Sequence, residues 1–202
     1  MKQFLVPTIL LIGFLSIAPG AANGQADRPQ TTAQEKFISG GTVRLHLEAG
    51  GYRIRPSDSD NIVVTCSARS QERLKEVKVE IKIAASHANV YVTNTPDNNF
   101  NATIEVPRRS NMWVRLTAGE LNVGNIEGDK DLELRAGQLT VAVPRPQDYG
   151  PRDASVTSGA IQSSAFEVSK GGLFRSFHQQ GPGKYRLHAH VTAGDIDLRG
   201  PI

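Results

Sequence analysis

One pattern recurs in this chain five times, and it limits the possible folds more than any other feature of the 202 residues. RLHLEAGGYRI, VRLTAGELNV, LELRAGQLTV, ASVTSGAIQS and AHVTAGDIDL share a single register. Each runs aliphatic residue, spacer, Ala or Ser, Gly, spacer, apolar residue. The glycines are Gly50, Gly119, Gly137, Gly159 and Gly194. Leu47, Leu116, Leu134, Val156 and Val191 precede them, and Tyr52, Leu121, Leu139, Ile161 and Ile196 follow. A further apolar position holds Ile54, Val123, Val141 and Leu198, with Ser163 the exception.

Alternation on both sides of the small-Gly pair specifies two short β arms, each with one buried face. Glycine between the arms marks a bend or bulge, where a Cβ would clash or φ must be positive. One pair of arms cannot bury its apolar face alone; stacking successive pairs buries it and satisfies the backbone hydrogen bonds. A helix is excluded, because the period is two and Thr, Val and Ile are abundant. Gly119 and Gly137 are 18 residues apart, and Gly137 and Gly159 are 22, both suitable for one coil of a stack. The 35 residues from Gly159 to Gly194 require an insertion or irregular coil, with Gly181-Pro182-Gly183 as a turn.

The stretch between Gly50 and Gly119 differs in kind. IVVTCSA, EVKVEIKIAA, NVYVTNT and ATIEVP read as longer alternating strands joined by polar turns, which predicts hairpin-like antiparallel pairing. SQERLKEVKVEIKI can begin as helix, but Val77, Val79, Ile81 and Ile83 alternate as a strand does.

The N-terminus reads MKQFLVPTILLIGFLSIAPGAANGQA. Lys2, an apolar run from Phe4 to Ala18 and small residues after it have the order of a secretory signal peptide, with cleavage expected after Ala26 and with Gly24 and Ala21 as alternative sites. The run is shorter than the roughly 20 apolar residues that span a bilayer. Asp27 to Lys36 is polar and aperiodic, a flexible leader. Loss of Lys2 takes the formal charge from +3 to +2, and the remaining charges are interleaved, so no cationic face for nucleic acid is indicated. Cys66 is the only cysteine; no intrachain disulfide can form, and its place beside Ile62 and Val64 predicts a buried, inert thiol. The arms are too short and the aromatics too sparse for a membrane barrel.

Signatures of hydrolases, P-loops and zinc proteases are missing. His188 and His190 share one strand face, and His46 holds the register position of His190, so these three are the candidate metal ligands. That face is outward, and solvated strand histidines are the expectation; no metal and no cofactor is called for. Asp195 and Asp197, with Glu127, Asp129, Asp131 and Glu133, are outward carboxylates that alternate with core residues, as solvated faces do. In NMWVRL, Met112, Val114 and Leu116 point inward, leaving Trp113 outward beside Arg115: an indole-guanidinium pair suited to a sugar or protein contact.

The repeated units, the leader and the ending GPGKYRLHAHVTAGDIDL resemble the bacterial putative-adhesin domain family over Gly40 to Ile202. That resemblance implies an exported, glycine-punctuated β-repeat domain in the cell envelope and brings no catalytic residues with it.

The expectation is therefore an all-β chain: signal peptide 1–26, flexible leader 27–36 and one β-repeat domain 37–202. The domain should be a β-solenoid-like stack with a hairpin-rich N-terminal part. Its expected role is an exported, non-catalytic interaction or structural module, periplasmic or extracellular. The partner would be an envelope protein or glycan, with no nucleic acid and no membrane span, and open strand edges allow self-association. The alternative is a polysaccharide-active enzyme using the outward carboxylates.

Overall fold

A computed structural model describes residues 28–201, so the signal-peptide segment 1–26 lies outside the described residues. The N-terminal half supplies β1 (Gln30–Lys36), β2 (Thr42–Leu47), β3 (Gly50–Ser57) and β4 (Asn61–Ser67). After the short helix α1 (Gln71–Glu76) come β5 (Lys78–Ala84), β6 (His87–Thr93) and β7 (Asn101–Pro107). The C-terminal half is built of longer strands: β8 (Asn111–Val123), β9 (Lys130–Ala142), β10 (Tyr149–Ser163), β11 (Val168–Gln179) and β12 (Tyr185–Arg199).

All of them join one open, mixed sheet that is creased along its length. The crease is visible in β8. Its first half pairs in parallel with β2 and its second half with β3, so a single long strand makes the rung that two shorter strands make next to it. Met112, Val114 and Leu116 are buried before the glycine, Leu121 and Val123 after it. Alternation thus slips by one residue across Thr117–Glu120. Folding at that slip turns both arms toward one core, which is a single continuous cluster of apolar side chains.

The repeat glycines lie along the crease. Gly50 pairs with Gly119, Gly119 with Gly137 and Gly137 with Gly194. Gly119 and Gly137 have φ of +117° and +126°, and a Cβ on Gly137 would stand 1.9 Å from the Gly119 carbonyl oxygen. Positive φ and close approach are both present, as the sequence pattern required.

The order of the rungs departs from expectation. A solenoid advances coil by coil, whereas here the order is β8-β9-β12-β10-β11. β12 enters in parallel between β9 and β10, so Gly137 and Gly159 are not neighbours; Gly194 separates them. The 35-residue interval holds β11, which pairs antiparallel with β10 and ends the stack. The N-terminal part is mixed. β4 with β7 and β5 with β6 are antiparallel, but β2 with β6 and β3 with β7 are parallel. Gln30–Lys36, expected within a flexible leader, is a strand aligned along all of β4. Only one of its residues is even partly covered, which is why no apolar period marked it.

Local signals explain the remaining elements. The Ser70 hydroxyl accepts the Arg73 N–H at 3.4 Å and caps α1, whose Leu74 is buried. The helix ends at Val77, where the strand alternation begins. Cys66 is fully buried, and burial pushes its thiol pKa up to about 12.

One buried group breaks the apolar pattern. Lys130 stands between Met112 and Leu187 in a column of core residues and is 0% exposed. Its ammonium donates to the carbonyls of Ile126 at 2.5 Å and Gly128 at 3.3 Å, and to the Tyr149 hydroxyl. The three donors are thereby satisfied. Burial lowers its pKa to about 8, against the opposing pull of Asp129 and Glu127.

Candidate binding face

The stack turns alternate side chains of its N-terminal arms outward, and register fixes which of them meet. Six residues before the crease glycine stand Arg44, Trp113, Asp131, His188 and Asp153, in that spatial order. Four residues before it stand His46, Arg115, Glu133, His190 and Ser155. Tyr91 of β6 extends the second row beyond His46. All the sequence-derived candidates, Trp113, Arg115, His46, His188 and His190, therefore share one face. Rung spacing of about 4.8 Å brings neighbouring side chains into contact.

One side of the face is aromatic and cationic. The His46 and Tyr91 rings stack at 4.6 Å with planes 11° apart, and Trp113 lies 5.0 Å from His46 on its other side. The Arg115 guanidinium sits 4.0 Å from the centre of the Trp113 ring, a cation–π contact. Partial burial, followed by the charges of Arg44 and Arg115, lowers the His46 pKa.

The other side is a network of acids and histidines. Arg115 donates to Asp131 at 2.8 Å through Nη1 and to Glu133 at 3.0 Å through Nε. His188 pairs through Nδ1 with Asp153. The Ser155 hydroxyl and His190 Nδ1 are 2.8 Å apart. Asp131, Glu133 and His188 offer donor atoms within 4.8 Å of one another, the set that could hold a metal ion. Arg115, however, already places a cation against both carboxylates. His46 and His190 are separated by Arg115 and Glu133 in the row and do not converge with His188 on one point.

Catalytic geometry is a poorer match. Ser155 and His190 form a hydroxyl–imidazole pair, but Nε2 of His190 faces the Thr192 hydroxyl at 3.5 Å, where an orienting carboxylate would be needed. Asp195 accepts the Ala160 N–H at 2.8 Å, and Asp197 binds Arg199 at 2.7 Å. Glu127 is taken by Arg145, and Asp129 accepts the Arg186 N–H. The outward carboxylates are thus tied to structural partners. Beside the network, Thr117, Arg135, His190 and Thr192 line an open depression of about 330 Å³.

Sequence reasoning found the histidines and the Trp–Arg pair but missed Asp131, Glu133 and Asp153 as their neighbours. The signal was available: aligning the five repeats on their glycines puts all of them in the same two columns.

Fold and face together define a class: an open, creased β stack that presents a broad polar and aromatic outer surface. A solved structure described as a putative cell adhesion protein from Clostridium sporogenes is similar to this chain, with a TM-score of 0.53 at 12% identity, covering 85% of this chain and 100% of that one. Structures described as putative adhesins from Parabacteroides distasonis and Parabacteroides merdae match 85% and 84% of this chain and 71% and 95% of theirs. Their identities are 11% and 10% and their TM-scores 0.26 and 0.27. No family model matches the chain, and no curated protein matches it. The likeness to the first structure is one of fold.

Proposed function

We propose that this protein is an exported, non-catalytic, adhesin-like interaction module of a bacterial envelope, working in the periplasm or outside the cell. The observation that carries the reading is the Tyr91–His46–Trp113–Arg115 cluster across the two rows, a partly exposed aromatic and guanidinium surface held by parallel rungs. Such groups offer large contact area with little rotamer entropy to lose and are favoured at the centres of interfaces. The signal-like leader supports export, and the similar cell adhesion structure supports the fold. The partner is an envelope protein or glycan that covers the face. Repetition of the parallel rungs from β6 through β2, β8, β9 and β12 to β10 carries that face across the stack.

The test is capture from envelope extract by immobilised Asp27–Ile202, compared with Trp113→Ala. Specific capture that weakens at least tenfold in the variant is expected. Equal capture by both proteins, or release of sugar fragments from envelope polysaccharide, would refute the assignment, the latter in favour of an enzyme.

A further inference from the structure

The terminal strand of the stack carries an apolar tip that the binding face does not use. Leu173 and Phe174 of β11 stand side by side at the crease, 63% and 77% exposed, the two most exposed large apolar residues among those described. In register with Leu173 the other long rungs carry Ser158, Ala193, Ala136 and Ala118, none of them large. Phe174 also has φ of +51°, in the left-handed region, which bulky residues enter only under constraint. A bend that needed only to continue the crease would be met by a small residue. Here a strained backbone turns an aromatic ring into solvent.

Cations surround the pair. Lys170 and Arg175 lie on either side of it, and Val168–Gln179 contains no carboxylate. Both cations fold across the tip: Lys170 donates to the Ser176 carbonyl at 2.7 Å and Arg175 to the Gly171 carbonyl at 2.9 Å. Among the described residues, no strand lies beside the outer edge of β11.

We infer that this tip is a docking point for the surface of an anionic phospholipid bilayer, with Leu173 and Phe174 entering the headgroup–acyl boundary and Lys170 and Arg175 meeting lipid phosphates. The chemistry is that of interfacial anchors, apolar side chains flanked by basic ones. A protein partner fits less well. The pair offers roughly 300 Å² of apolar surface, while a stable protein interface buries about 600–1,000 Å² on each partner. Pairing with β11 of a second copy would oppose like charges, and the positive-φ positions Gly172 and Phe174 kink the edge such pairing would need. The inference is independent of the Trp113 face, which occupies rungs nearer the other end of the stack.

The experiment is vesicle flotation of Asp27–Ile202, a fragment that holds every described strand and the whole buried core. It omits the apolar run Phe4–Ala18, which would itself bind lipid. Vesicles of phosphatidylcholine alone are compared with vesicles containing one-third phosphatidylglycerol. Wild type should float with the anionic vesicles, at least tenfold more than with neutral ones. The double variant Leu173→Ser, Phe174→Ser and, separately, Lys170→Gln with Arg175→Gln should each lose at least tenfold of that binding at an unchanged melting temperature. Trp113→Ala should bind as wild type does. Absence of flotation, or flotation equal in the Leu173/Phe174 variant, would overturn the proposal. So would a concentration-dependent dimer that the same variant abolishes, because the tip would then be a contact between copies.

Discussion

Replacing Gly137 by valine tests the crease directly. The new Cβ would lie 1.9 Å from the Gly119 oxygen and 2.8 Å from its carbonyl carbon, where real Cβ contacts do not fall below 3.0 Å. The carbonyl of β8 would have to withdraw by about an ångström, and it is held in a parallel ladder between β3 and β9. Forcing a β-branched residue to φ of +126° costs about 1–3 kcal/mol. Losing one or two rung hydrogen bonds adds about 1 kcal/mol each, and parting the rungs loosens Leu134 and Leu139 on either side. The sum is about 4 kcal/mol, in the upper tail of single substitutions. At about 2–4 °C per kcal/mol for a domain of this size, the melting temperature should fall by about 8–16 °C. Gln138→Val is the control: the adjacent residue is exposed, and valine suits a strand, so a change within about 0.5 kcal/mol is expected. Urea unfolding followed by the fluorescence of Trp113, the single tryptophan, measures both variants. Gly137→Ala should fall between them, because it keeps the clash without the branch. Equal midpoints for Gly137→Val and Gln138→Val would refute the crease as a steric requirement.

Three further outcomes follow from the buried and stacked groups. Lys130 has a folded pKa of about 8 against an ordinary 10.5, so between those values the unfolded chain holds a proton that the folded chain lacks, and stability rises with pH. Wild type should gain about 1.4 kcal/mol over Lys130→Met between pH 7 and pH 9, read from paired urea melts; a constant difference would contradict this. The Cys66 thiol acts oppositely above pH 9, since its pKa is raised, but it is common to both chains and cancels. Cys66 should react with a thiol reagent only after denaturation; rapid labelling of native protein would place it elsewhere than the core. For His46, whose pKa is lowered in part by Arg115, Arg115→Ala should move the titration upward in a histidine NMR experiment, and no movement would deny the contact.

Much of this architecture was legible because the repeats carry their own coordinates. Counting from each glycine gave the inward residues, the positive-φ crease and the outward placing of Trp113, Arg115 and the histidines. Rung order was not legible, for a physical reason. Each repeat presents the same apolar columns to its neighbours, so β9 is as well matched to β10 as to β12, and only the connections select between them. β1 and β11 were hidden because terminal strands have one partner and little apolar surface to alternate; Val168–Gln179 buries only Phe177. Lys130 was missed although it stands in an apolar column, since the repeat was aligned outward from the glycine and stopped before reaching it. The acid–histidine network depended on seeing that columns, not runs of sequence, are the unit in which chemistry assembles.

The position of β12 bears on when the protein can become a folded object. β12, the last of the described strands, lies between β9 and β10 and bonds to both. Without Tyr185–Arg199 in place, β10 and β11 have no sheet pairing to the rest of the stack, and Leu134, Val141 and Ile161 lack their rung neighbours Val191, Leu198 and Ile196. Assembly of the second half is therefore gated by one late, non-local event, the insertion of β12 between two strands that precede it in the chain, since non-local pairing has to wait for its partner.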